Sequence, residues 1–99
     1  MPFVYMLSCR DGSFYTGAAK DLAARVLKHE AGTASRYTRA RRPVALVWSR
    51  RVRTWSRALR EEIRIKGLNR REKEALDRAK RLRLARERLA TPASAREAA

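Results

Sequence analysis

A chain of 99 residues has room for one domain around one modest hydrophobic core, so no second catalytic domain is expected. Its 25 basic and 10 acidic residues leave a net charge of +15, with arginine outnumbering lysine twenty to five. Guanidinium forks match phosphate oxygens in pairs and stack on bases, so this bias points to a polyanionic partner, nucleic acid first and an anionic membrane surface second. Cys9, the only cysteine, excludes an internal disulfide. No run approaches the roughly 18 apolar residues that span a bilayer. "MPFVYMLSCR" lacks the basic start and long apolar run of a secretory signal, and a cytoplasmic protein without a membrane partner is expected.

In chain order, Phe3–Ser8 and Phe14–Gly17 are apolar and aromatic runs around "RDGS", a turn signal, and predict a β-hairpin. "DLAARVLKHEAG" predicts a helix with Asp21 at its N-cap and Gly32 at its end, its apolar line running through Leu22, Val26 and then Glu30 or Ala31. "TASRYTRARRP" reads as a polar loop, and "VALVW" (44–48) as a third strand. A second helix is predicted from Thr54 to Gly67, with Trp55, Ala58, Leu59, Ile63 and the stem of Lys66 on its apolar stripe. A third is capped by Asn69 and Glu72, reaches about Leu89 and presents Ala75, Leu76, Ala79 and Leu82. The order β-β-α-β-α-α predicts a small α+β domain over residues 1–89, with helices covering a three-stranded antiparallel sheet. Residues 90–99, small and polar, are expected to form a disordered tail.

The charge is uneven along this plan. Residues 1–32 carry four basic and three acidic groups, whereas 36–60 hold nine arginines and no acid. Lys20, Arg36, Arg39, Arg41 and Arg42 are therefore the candidate nucleic-acid contacts. No glycine-rich phosphate loop, zinc-spaced cysteine or histidine pair, or carboxylate cluster for two metals is present, so any site must use few groups.

On the first helix Arg25 and His29, at i and i+4, project from one face; a solvated face with one incidental histidine is the alternative. On the second, Glu61 falls off the apolar stripe and is expected in solvent, while Glu62 falls on the packed face. An unpaired carboxylate buried there would cost several kcal/mol, so Glu62 needs a metal or a cation, or else forms a structural ion pair with an arginine.

Taken together, "VYMLSCRDGSFYTG", "DLAARVLKHEAG", "SRYTRARRPVALV" and "ALREEIRIKGLNRREKEAL" resemble the GIY-YIG nuclease superfamily. Within it they are most similar to small stand-alone bacterial proteins related to the nuclease domain of excinuclease C. The resemblance covers roughly residues 2–80. It implies a metal-dependent endonuclease that hydrolyses DNA phosphodiesters with one divalent cation, Mg²⁺ or Mn²⁺. It further implies Tyr5 and Tyr15 as the motif tyrosines, Gly17 as the closing glycine, Arg25 as the catalytic arginine, His29 as the family histidine and Glu62 as the metal ligand. Phe3 and Val4 stand where the motif has glycine and isoleucine, Ala18 where some members have lysine, and the asparagine often seen after the glutamate has no clear match. Tyr5 is the implied base, with Tyr15 assisting, and His29 either accepts its proton or orients it.

The hairpin count bears on this directly. A two-residue turn at Asp11-Gly12 sends the tyrosines to opposite faces, whereas a three-residue loop, Arg10 to Gly12 with Gly12 left-handed, pairs Tyr5 with Gly17 and Leu7 with Tyr15. Only the odd loop lets both tyrosines serve one site. The expected activity is DNA cleavage in repair or in processing of branched or damaged structures, with specificity from a homodimer, a protein partner or nucleic-acid shape. The competing readings are a basic DNA- or RNA-binding module with weak or no cleavage, and an accessory protein docking an acidic partner.

Overall fold

The computed structural model of the chain describes residues 1–90. The elements run β1 (Phe3–Cys9), β2 (Phe14–Ala19), α1 (Leu22–Ala31), α2 (Arg36–Arg39), β3 (Val44–Arg51), α3 (Trp55–Lys66) and α4 (Arg70–Ala90). This is the anticipated α+β order with one short helix added. The tail expected from residue 91 onward lies outside the described residues.

The sheet is antiparallel in the order β2-β1-β3. Because β1 is central and covered on both faces, it reads as a nearly continuous apolar run rather than an alternating one. Tyr5, Leu7 and Cys9 face α1 and pack with Tyr15, Leu22, Val26 and Val44. Val4 and Met6 face the other way, against Ala58 and Ile65 of α3 and Leu76 of α4. The β1/β3 pairing shifts between Met6 and Leu7, which oppose Trp48 and Leu46. Val47 is the extra residue of this bulge, and both Val47 and Trp48 pack on the α3/α4 side.

The hairpin is of the odd kind. Cys9 N–H donates to Ser13 O at 2.8 Å, Gly12 N–H donates to Cys9 O at 2.9 Å, and Gly12 takes φ +83°. Tyr5 therefore opposes Gly17, and Leu7 opposes Tyr15. Asp11 stabilises the turn by accepting from Ser13 N–H at 3.0 Å and Ser13 Oγ–H at 2.6 Å.

Caps set the helix limits. Asp21, Thr54 and Ser35 each accept a hydrogen bond from the backbone N–H three residues on, and Gly32, at φ +80°, ends α1. The stretch read as a loop therefore contains α2, whose signal is Ser35 at the N-cap position of "SRYT".

The buried helix faces differ from the predicted stripes in three places. On α1 the line Leu22–Val26 continues to His29, at i+7, while Glu30 and Ala31 are exposed. On α3 the small side chain of Ala58 lets the helix approach the sheet, and the buried line is Ala58–Ile65; Trp55, Leu59 and Ile63 are exposed. Glu61 is consequently not in solvent. Its side chain is 16% exposed and is gripped by Arg64 and, at 3.4 Å, by Arg50. On α4, Leu76 joins the core and Lys80 Nζ donates to Ser49 Oγ at 3.3 Å, while Ala75, Ala79 and Leu82 are exposed.

Candidate active site

The odd register puts Tyr5 and Tyr15 on one face, with ring centroids 6.4 Å apart. His29 comes down from α1 onto both, its ring 5.6 Å from that of Tyr5 and 5.0 Å from that of Tyr15. Tyr5 Oη and His29 Nε2 are 2.7 Å apart, and both residues are buried. His29 Nδ1 lies 2.8 Å from Thr38 Oγ1, which in turn lies 2.8 Å from Ser35 Oγ. The alternative of an incidental histidine on a solvated face is thereby excluded.

Electrostatics orient this chain. Burial, then the Tyr15 ring and the Glu62 carboxylate, push the Tyr5 phenol up to about 12, against the pull of the Arg25 guanidinium that hydrogen-bonds it. Burial first and Arg25 second lower the His29 imidazole below its ordinary value. Tyr5 is thus a neutral phenol and His29 a neutral imidazole with one donor and one acceptor nitrogen. The consistent direction has Tyr5 Oη–H donating to Nε2, Nδ1–H donating to Thr38 Oγ1, and the Thr38 hydroxyl donating to Ser35 Oγ, which also accepts Thr38 N–H at 3.1 Å.

Gly17 is where the fold makes room. A Cβ on it would stand 2.5 Å from Tyr5 Oη and 2.7 Å from Tyr5 Cζ, so only a residue without a side chain fits beneath the phenol. A second column holds Tyr15 from outside: Tyr37 stacks on it at 6.0 Å and 29°, Arg41 lies 3.8 Å over Tyr37, and Arg41 Nε donates to Asp11 Oδ2 at 2.9 Å. Sequence reasoning did not single out Ser35, Thr38 and Tyr37. Their signal was faint, a serine at a helix N-cap and a tyrosine and threonine in what read as a polar loop.

Of the remaining candidates, Arg25 is half-buried beside Tyr5, and Glu62 is near enough for its charge to act on the phenol. The Glu62 side chain is 18% exposed and pairs with Lys66 at 2.9 Å. Gly12 lies at the turn, away from the chemistry. Lys20 reaches over Trp55 at the end of β2. Arg36 and Arg39 are exposed, whereas Arg41 is held by Asp11 and Tyr37, and Arg42 folds back onto the carbonyls of Arg39 (3.2 Å) and Glu30 (3.4 Å).

A model of the GIY-YIG catalytic domain matches residues 1–75. The chain belongs to the GIY-YIG family. Its GIY-YIG domain is 51% identical over 71 residues to UPF0213 proteins of Staphylococcus epidermidis and Staphylococcus aureus, covering 72% of this chain and 87% of each relative. It is also similar to the UPF0213 protein of Bacillus halodurans, whose structure was determined in solution by NMR. That match has 43% identity, a TM-score of 0.49, and coverage of 77% of this chain and 82% of the other. Within the GIY-YIG domain no three histidine, cysteine or acidic side chains converge among the described residues. One carboxylate, Glu62, faces the tyrosine cluster. Such a donor set suits a hard cation that keeps most of its waters and shares the rest of its shell with a phosphate. Among the described residues no helix is long and apolar enough to cross a membrane.

Proposed function

We propose that this protein is a DNA endonuclease that hydrolyses phosphodiesters with one Mg²⁺ or Mn²⁺ at Glu62. The observation that carries the reading is the 2.7 Å contact between Tyr5 Oη and His29 Nε2 beneath Arg25. A bound cation would neutralise charge on the phosphate and lower the pKa of water; Glu62 would hold it after releasing Lys66.

The chain's own residues supply the rest. A phenol pushed up to about 12 is a poor base at neutral pH, so Tyr5 acts as a relay. As water gives a proton to Tyr5 Oη, the phenolic proton passes to His29 Nε2, and His29 is the net acceptor. Thr38 holds Nδ1–H, keeping the imidazole in the tautomer that can accept. Arg25 now covers the phenol; a phosphate that draws the guanidinium toward itself uncovers Tyr5 Oη and gains the charge that offsets the phosphorane. Arg36 and Arg39 add sequence-independent attraction. The setting we infer is repair or processing of branched or damaged DNA in the cytoplasm, with a homodimer or protein partner adding specificity.

The test is cleavage of branched and plasmid DNA with Mn²⁺. Wild type should cut, while Glu62→Gln, Arg25→Ala and Tyr5→Phe should bind DNA and fall at least 100-fold in rate, the scale of one general-base or charge-stabilising contribution. Equal nicking by wild type and Glu62→Gln would refute the site. Tyr5 is fully covered, and this observation favours the second reading, a binding module; salt-dependent binding without cleavage by wild type would establish it.

A further inference from the structure

Beside the proposed site, where the end of β2 meets α1 and the first turn of α3, lies a pocket of about 330 Å³ lined by Lys20, Asp21, Arg25, Lys28 and Trp55. Its charge is one-sided. The Asp21 carboxylate is turned to cap α1, accepting from Ala24 N–H at 3.0 Å. Lys20, Arg25 and Lys28 enter none of the ion pairs among the described residues. Trp55 is not explained by packing. It follows the N-cap Thr54 directly, a position where a helix has no need of an aromatic ring, and it keeps 40% of its surface exposed. The chain's other tryptophan, Trp48, packs against the core.

Lys20 Nζ lies 5.8 Å from the Trp55 ring centroid, so an ammonium and an indole face are presented together. A flat base stacks on the indole, and its phosphate satisfies the ammonium. Trp55 precedes Glu62 by seven residues, two helical turns, so it stands on nearly the same face about 10 Å away. That separation is within one or two nucleotides of the bond to be cut.

We infer that this pocket is a nucleotide subsite, in which Trp55 stacks on an unpaired base next to the scissile phosphate while Lys20 and Lys28 hold the adjoining phosphate. A base within an intact duplex has no free face to offer, so the subsite selects a frayed end, a flap or a single-stranded flank. This rests on the nuclease reading above and deepens it to a substrate class.

The experiment uses the full chain carrying Glu62→Gln to prevent cleavage and Trp48→Phe so that Trp55 is the sole tryptophan, in chelator. A dye-labelled oligothymidylate and a blunt hairpin duplex are titrated separately, reading dye anisotropy and tryptophan emission. The single strand should quench Trp55 to saturation, and Trp55→Leu and Lys20→Glu, made also with Trp48 intact, should each weaken its binding about tenfold, the scale of one base–aromatic stack. Single-strand binding with unchanged emission and unchanged affinity in both variants would overturn the subsite and leave the nuclease reading standing. Equal quenching by the blunt duplex would overturn the selection for unpaired bases. Failure to bind either probe would overturn the subsite together with DNA as the substrate.

Discussion

The Tyr5 phenol occupies the space in which a Cβ of Gly17 would stand, 2.5 Å from its Oη. Tyr5 is fully buried and cannot swing aside as an exposed chain end would. Gly17→Ala should therefore destabilise the fold by about 1–3 kcal/mol, as overpacking does, and should remove cleavage by shifting Oη from His29. Denaturant unfolding reads the first effect and a cleavage assay the second. Gly67 is the control: it sits at φ −77°, and an added Cβ meets nothing closer than 3.5 Å. Gly67→Ala should leave stability unchanged or raise it by up to about 1 kcal/mol.

Thr38→Val keeps the shape of the side chain and deletes the hydroxyl that His29 Nδ1–H reaches at 2.8 Å. A buried N–H without a partner costs about 1–3 kcal/mol, and the imidazole becomes free to take the other tautomer, so the variant should lose both stability and rate. Thr38→Ser retains the hydroxyl and should recover most of each. If Val and Ser variants behave alike, the hydroxyl does not orient His29.

The same pair sets two limbs of the stability profile. His29 is lowered in the folded protein from an ordinary value of 6.5. Its unfolded form therefore binds the proton first, and its contribution, complete above pH 6.5, is lost as pH falls through that value. Tyr5 is raised from 10.0 to about 12, so its contribution is complete below pH 10 and is lost between pH 10 and 12. Urea unfolding across pH should show both limbs, with His29→Gln flattening the acid one and Tyr5→Phe the alkaline one.

Neighbouring glutamates should separate cleanly. Glu61 is paired with Arg64 and Arg50, and the Arg64 hydrogen bond holds its carboxyl below the usual range. Glu61→Gln should cost up to about 1 kcal/mol of stability, as partly exposed ion pairs do, and leave cleavage intact. Glu62→Gln should change stability little and abolish cleavage. Parallel melting curves and rate assays on the two variants would expose a reversal of these roles.

Much of this fold is legible in the sequence where the cause is local. Asp21, Thr54 and Gly32 mark helix ends because each satisfies or terminates backbone groups within a few residues of itself. The hairpin question reduces to parity, since side chains alternate along a strand, and Gly12 at φ +83° resolves it in favour of the odd loop. The stripe Trp55–Leu59–Ile63 reads as the packed face yet is exposed, because apolar spacing shows only that a helix has a face, not which face a sheet will accept. Ala58, being small, decides that by close approach, and it carries Glu61 inward with it.

By itself the sequence determined the element order, the sheet-plus-helices plan, the odd parity needed by Tyr5 and Tyr15, and the shared face of Arg25 and His29. These follow from periods of two and 3.6 residues and from capping chemistry, all of short range. Only the tertiary structure decided that His29 is buried against Tyr5, that Thr38 and Ser35 direct its proton, that Tyr37 and Arg41 clamp Tyr15, and that Lys20 meets Trp55. Each joins residues from different elements. Spacing along the chain carries no distance between them until the sheet and its helices have packed.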